Sequence, residues 1–182
     1  MSVLSIHSSV LELHHLRSTY MPLLINREVV ADNWSLLNEE AITSEASIRP
    51  GNIIVPLALY QEHKALFTEH DGQVALQVNG DDDLTELMEN FDQFPMIAIE
   101  FPIFRDGRGF SIARLLVRAG YQGEIRATGD IGRDRLAYME RCGFTAIQVA
   151  DDQFKPEMLN AFDDISNYYQ SATDNNRAVY HQ

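Results

Sequence analysis

Residues 104–144 hold the side chains best suited to gripping an anion. The segment reads FRDGRGFSIARLLVRAGYQGEIRATGDIGRDRLAYMERCGF. Arginines stand at 105, 108, 114, 118, 126, 133, 135 and 141, against the acids Asp106, Glu124, Asp130, Asp134 and Glu140. The whole chain carries −13, so this basic island reverses the prevailing sign. Two of its stretches, FRDGRGFS and ATGDIGRD, are loops that each lead into a predicted helix. Guanidinium groups bind oxyanions with two parallel hydrogen bonds, and helix starts favour negative charge. Gly107 and Gly109 permit tight turns and close approach of backbone N–H groups. The candidate anion-binding set is therefore Arg105, Gly107, Arg108, Gly109, Ser111 and Arg133, and phosphate, sulfate, sulfite or carboxylate fits it. If chemistry takes place there, Asp106 and Asp130 are the candidate acid/base groups.

A purely structural reading of the same residues stands beside this one. Arg105–Asp106 and Arg133–Asp134 serve equally as ion pairs that fix loops, and Asp130 as the N-cap of the following helix. Arg114, Arg118, Arg135 and Arg141 fall along helices, where solvent-face or inter-helix charges are expected.

The elements that must position these loops follow from hydrophobic pattern. Apolar strands are predicted near residues 53, 75, 98, 126 and 147, alternating with helices at 56–70, 84–91, 111–119, 133–142 and 156–169. Alternation of this kind specifies α/β architecture: βα units, right-handed crossovers and a mainly parallel sheet. Five units are too few for a closed eight-stranded barrel, so a half-barrel or an open sheet is expected. Residues 21–37 (MPLLINREVVADNWSLL) predict an N-terminal β-hairpin turning at Asn26-Arg27. The order of parallel units brings the loops after Glu100, Thr128 and Val149 to one face, where Arg105, Arg108 and Arg133 meet Glu100, Asp106, Asp130 and Asp151.

One domain over 21–170 is expected, with a flexible extension at 1–20 and a disordered tail at 171–182. Met21 is a candidate start. His7, His14 and His15 belong to the extension and no metal site is assigned to them. Residues 38–50 read as a polar loop. Asp81–Asp83 reads as an N-cap with acids in the first helical turn. Trp34, the one tryptophan, is expected at the edge of the core.

Composition excludes several classes. A chain at −13 repels nucleic acid and anionic membrane surfaces, and no apolar run reaches the ~20 residues of a membrane span. The single cysteine, Cys142, makes no disulfide, redox pair or cluster by itself and suits a reducing compartment, the cytoplasm. It reads as a core thiol. DGRGFS lacks the third glycine of the dinucleotide fingerprint, and no Walker, HExxH or GxSxG motif occurs. No cofactor is therefore assigned.

The strings FRDGRGFS and RATGDIGRDRLAYMERCGF, with MPLLIN and IIVPLALY upstream, resemble the bacterial family catalogued as domain of unknown function 934, over about residues 21–170. The resemblance implies a link to sulfur assimilation. Such proteins are typically encoded beside assimilatory sulfite reductase and phosphoadenylylsulfate reductase, and are often labelled oxidoreductases of sulfite reduction. Two expectations follow. One is an accessory protein that holds an oxyanion, or docks to sulfite reductase or phosphoadenylylsulfate reductase, through the Arg/Asp/Gly loops. The other is an enzyme, an oxidoreductase of the same pathway.

Overall fold

The computed structural model describes residues 21–37, 48 and 50–173. The expected extension at 1–20, most of the polar loop and the tail beyond 173 lie outside the described residues. Eight strands form one sheet: β1 Leu23–Ile25, β2 Glu28–Val30, β3 Trp34–Leu36, β4 Asn52–Pro56, β5 Val74–Val78, β6 Met96–Phe101, β7 Glu124–Gly129 and β8 Ala146–Gln148. Their order is β2-β1-β8-β7-β6-β5-β4-β3. From β3 to β8 every strand lies parallel to its predecessor. β1 is antiparallel to both its neighbours, β2 of the hairpin and β8, through which the hairpin joins the sheet. The α/β half-barrel with an N-terminal hairpin is thus observed.

This topology decides where the helices go. A series of right-handed crossovers that always steps to the next strand in one direction leaves every helix on the same side. Those helices are α1 Leu57–Glu62, α2 Lys64–Thr68, α3 Thr85–Asn90, α4 Arg108–Ala119 and α5 Leu136–Cys142, with 3₁₀ turns at Phe91–Gln93, Arg133–Arg135 and Pro156–Phe162. The main core lies between them and the convex face of the sheet. There Leu76, Ile97, Ile99, Phe101, Ile125 and Ile147 pack against Leu57, Leu87, Ile112, Leu116, Leu136 and Met139. Each such side chain contributes ~1.5–3 kcal/mol by burial. Cys142 belongs to this core, and burial pushes its thiol upward.

The concave face holds a separate, smaller cluster of Ile54, Ala75, Met96 and Ala98 against Trp34, with no helix residue in it. The curl of the sheet follows from one connection. Strands β2 and β3 occupy opposite edges, yet only residues 31–33 join Val30 to Trp34. Four residue steps span at most ~14 Å, so the two edges must approach that closely. Trp34, on the edge strand β3, packs partly buried at the margin of this concave cluster, as expected of a core-edge residue.

The hairpin turn at Asn26-Arg27 forms as expected, with φ of 52° and 66° at its two central residues, the left-handed pair that suits the twist of a two-residue hairpin. Arg27 then reaches across the molecule. It grips Glu140 of α5 through Nε (3.0 Å) and Nη2 (2.8 Å), and Asp163 through Nη1 (2.9 Å).

Two local expectations are corrected. The last helix does not run from 156 to 169. A 3₁₀ turn ends at Phe162, and Ile165 and Tyr169 are exposed rather than aligned on an apolar stripe. Nor do the three aspartates cap a helix. Leu84 is the N-cap of α3 and makes no side-chain cap bond. Instead Asp82 accepts the Asn79 N–H at 2.7 Å, Asp83 accepts both the N–H and the hydroxyl of Thr85, and Asp81 pairs with an arginine. Short polar side chains have closed the loop on itself, which competes with capping.

Candidate functional site

The two Gly/Asp/Arg loops emerge side by side, because β6 and β7 are paired from Met96↔Glu124 to Phe101↔Gly129. They are stitched together where the strands end. The Asp130 N–H donates to the Phe101 carbonyl (2.8 Å), and the Phe104 N–H donates to Asp130 Oδ2 (2.9 Å). Asp130 is therefore a loop clamp and not the N-cap of the next helix. That position belongs to Gly132.

Arg108 is the most heavily engaged of the proposed anion ligands. Its Nε and Nη2 hold Asp106 (3.1 and 2.8 Å), and its Nη1 donates to Asp81 (2.5 Å) and the Gly80 carbonyl (3.1 Å). The Asp106 carboxylate also accepts the Arg108 N–H at 3.0 Å. These bonds tie the loop after β5 to the loop after β6. The ion pair expected between Arg105 and Asp106 is instead made by Arg108. Arg133 pairs with Asp164 at 2.7 Å rather than with Asp134. Arg105 is exposed and has no ion pair or hydrogen bond among the described residues. Ser111 is exposed on the first turn of α4, and Asp151 is exposed beyond β8.

The glycines serve different ends. Gly107 has φ of −99° and open space around it, so its turn does not require glycine. Gly109 does require it, because a β-carbon there would press into the Phe101 ring at 2.7 Å. It lets α4 settle onto β6.

The Arg108 bonds hold the Asp106 carboxyl down to about 2, from an ordinary 3.8. The folded value lies below the unfolded one. The pair therefore adds stability above about pH 4 and loses it as pH falls toward 2. A carbon-detected carboxyl titration should place the Asp106 midpoint near 2 and raise it in Arg108→Gln, which keeps the backbone N–H bond but loses the guanidinium. An ordinary midpoint in the wild type would show that the pair does not form in solution.

One arginine was assigned to a helix face and behaves otherwise. The Arg135 guanidinium lies 4.0 Å over the Phe104 ring, with Phe110 and Phe101 at 5.7 and 6.0 Å. Its Nη1 is buried without a hydrogen-bond partner, and it makes no ion pair among the described residues. Phe104 and Ile103 beside it are exposed. The loop face thus presents Arg105, Arg135 and two apolar side chains.

A second polar cluster lies on the concave face, and the sequence reading did not assign it. Arg126 of β7 is 1% exposed. Its Nη1 holds both oxygens of Asp32 (3.0 and 2.9 Å) and its Nε holds Glu124 (2.7 Å). Gln148 of β8 donates to Asp32 at 3.3 Å. Asp32 sits in the link between the two sheet edges, so this ion pair straps the half-barrel across its mouth. Above it opens a cavity of about 550 Å³, lined by Trp34, Leu36, Ile54, Gln77, Glu100 and Thr128 among others. Glu100 faces this cavity and not the arginine loops. Among the described residues no group of three or more His, Cys, Asp or Glu is arranged to hold a metal ion, and no helix is long and apolar enough to cross a membrane.

Fold and site define a singly wound α/β half-barrel with an arginine-bearing loop face and a strapped interior. A family model described as "Bacterial protein of unknown function (DUF934)" matches residues 75–180, more than half of the chain. The chain belongs to that family. No curated protein and no solved structure matches it.

Proposed function

We propose that this chain is an accessory protein of assimilatory sulfite reduction, holding an oxyanion or docking to the acidic surface of sulfite reductase through the loop face beyond β6 and β7. The pathway rests on the family resemblance. The binding mode rests on one observation: the Arg135 guanidinium, 4.0 Å over the exposed Phe104 ring, has a buried Nη1 without an acceptor and makes no ion pair among the described residues. A buried donor left unsatisfied costs ~1–3 kcal/mol, and an arriving oxyanion or carboxylate relieves that cost. Exposed Phe104 and Ile103 and the unpaired Arg105 surround it, an arginine–aromatic composition typical of binding hot spots.

The enzyme reading is weaker on geometry. Asp106 is held near 2 by Arg108, far from the neutral range in which a general acid or base works best. Asp130 is committed to the Phe104 N–H.

The test is copurification with sulfite reductase, with thermal shifts in sulfate, sulfite and adenosine 3′,5′-bisphosphate alongside. Association or a ligand-dependent rise in Tm is expected, and the double variant Arg105→Ala/Arg135→Ala should weaken it at least ~10-fold. Absence of both effects in the wild type would sink the accessory reading. A folded Asp130→Asn that binds normally but fails to restore growth on sulfate would favour the enzyme.

A further inference from the structure

We propose that the interior cavity is a second site, separate from the arginine loops, that takes a small organic cation with a flat apolar body, of the amidine or aromatic-amine class. Charge points to this first. Arg126, beside the cavity, is already matched by Asp32 and Glu124. Among the described residues no lysine, arginine or histidine lines the cavity. Glu100 therefore stands there as an uncompensated carboxylate, half-buried, with no hydrogen bond or ion pair among the described residues. An anion is repelled, and a cation is held.

The second observation is an orphan. Thr128 is 9% exposed, lines the same cavity, and its Oγ1 is buried with no hydrogen-bond partner. Thr128 and Glu100 are direct neighbours across β6 and β7, so both side chains leave the same face of the sheet near the carboxyl ends of the strands. Parallel α/β architecture places ligands at that end. The two oxygens of the Glu100 carboxylate match the forked N–H donors of an amidinium.

The opposite wall supplies the apolar part. Trp34, Leu36 and Ile54 come from β3 and β4, and an indole face attracts a cation as well as a ring. The Gln77 and Gln148 side chains add polar groups at the rim. The volume lies within the ~300–1,000 Å³ of small-molecule sites.

Trp34 is the only tryptophan, so its fluorescence reports this cavity directly. The probe is benzamidine, with benzoate as the isosteric anion. Benzamidine should give a saturable change and benzoate none. Glu100→Gln should weaken benzamidine about tenfold or more, since a charge-assisted bond is lost. Thr128→Val should weaken it severalfold while leaving Tm unchanged or raised, because it removes an unsatisfied hydroxyl. That combination distinguishes a binding role from a structural one. Circular dichroism of both variants establishes that they are folded. No saturable response at millimolar benzamidine, an equal response to benzoate, or wild-type binding by folded Glu100→Gln would each overturn the proposal. None of these outcomes bears on the loop face.

Discussion

Replacing Arg126 by methionine is expected to lower the stability of the fold by ~3–5 kcal/mol, a large share of the ~5–15 kcal/mol that holds a typical domain together. The reason is what remains behind. Arg126 is 1% exposed and bonds to two carboxylates, Asp32 and Glu124, that are themselves largely out of water. Without the guanidinium, those two anions are left with no cation between them. The urea midpoint should fall, and Trp34 should report an earlier local opening, because Asp32 also accepts the Trp34 N–H at 3.0 Å. The charge-free triple variant Asp32→Asn/Glu124→Gln/Arg126→Met should recover most of the loss, since removing a whole buried ion network is far less costly than breaking it. A single variant as stable as the wild type would show that water reaches this cluster and that the strap carries no strength.

Gly129→Ala should destabilise by ~2–4 kcal/mol, with an effect confined to the ends of β6 and β7. Two costs add. The φ of 95° lies in left-handed space, where a side chain costs ~1–2 kcal/mol. The new β-carbon would also fall well inside 3.0 Å of the Phe101 carbonyl oxygen, a backbone atom that cannot step aside without breaking its bond from the Asp130 N–H. Both proposed sites depend on this junction, since Thr128 precedes it and Asp130 follows it. Gly107→Ala is the control. Its φ is ordinary and nothing lies within 4 Å of the new atom, so its cost should stay within ~0.5 kcal/mol. Equal urea midpoints for the two variants would contradict the geometry.

The strands β4 to β8 were legible because each is a short apolar run between turn residues, and the hairpin because Asn-Arg suits left-handed turn positions. Unit count and order left a half-barrel or an open sheet, and the short link from β2 to β3 across the two edges decides for the half-barrel. What was not legible is which side of the sheet each charge occupies. Counting eight arginines in one island pooled Arg126, on the concave face, with Arg105 and Arg133, on the loops beyond. A usable signal was nonetheless present. Fully covered parallel strands are apolar at every position, whereas QVALQV, MIAIEF, EIRATG and AIQV carry Gln77, Glu100, Arg126 with Thr128, and Gln148 at alternate positions that share one face of the sheet. That alternation marks a face that no helix among the described residues covers. The pairing of Asp32 with Arg126, 94 residues apart, had no local signature. The pairing of Arg135 with Phe104 had none either, because it depends on two loops meeting.

The attachment of the N-terminal hairpin to the last strand has a consequence for how the protein is made. Strands β3 to β8 each find a neighbour as soon as the next is synthesised. The hairpin is made before them and has no partner until β8 emerges, some 120 residues later. At ~5–20 residues per second, the nascent hairpin waits on the order of ten seconds with its edge unpaired. Arg126 is translated in the same interval, and Asp32 comes within its reach once the hairpin has docked. On the ribosome, a hairpin made early is fastened only after β8 emerges, and the strap across the half-barrel closes with it.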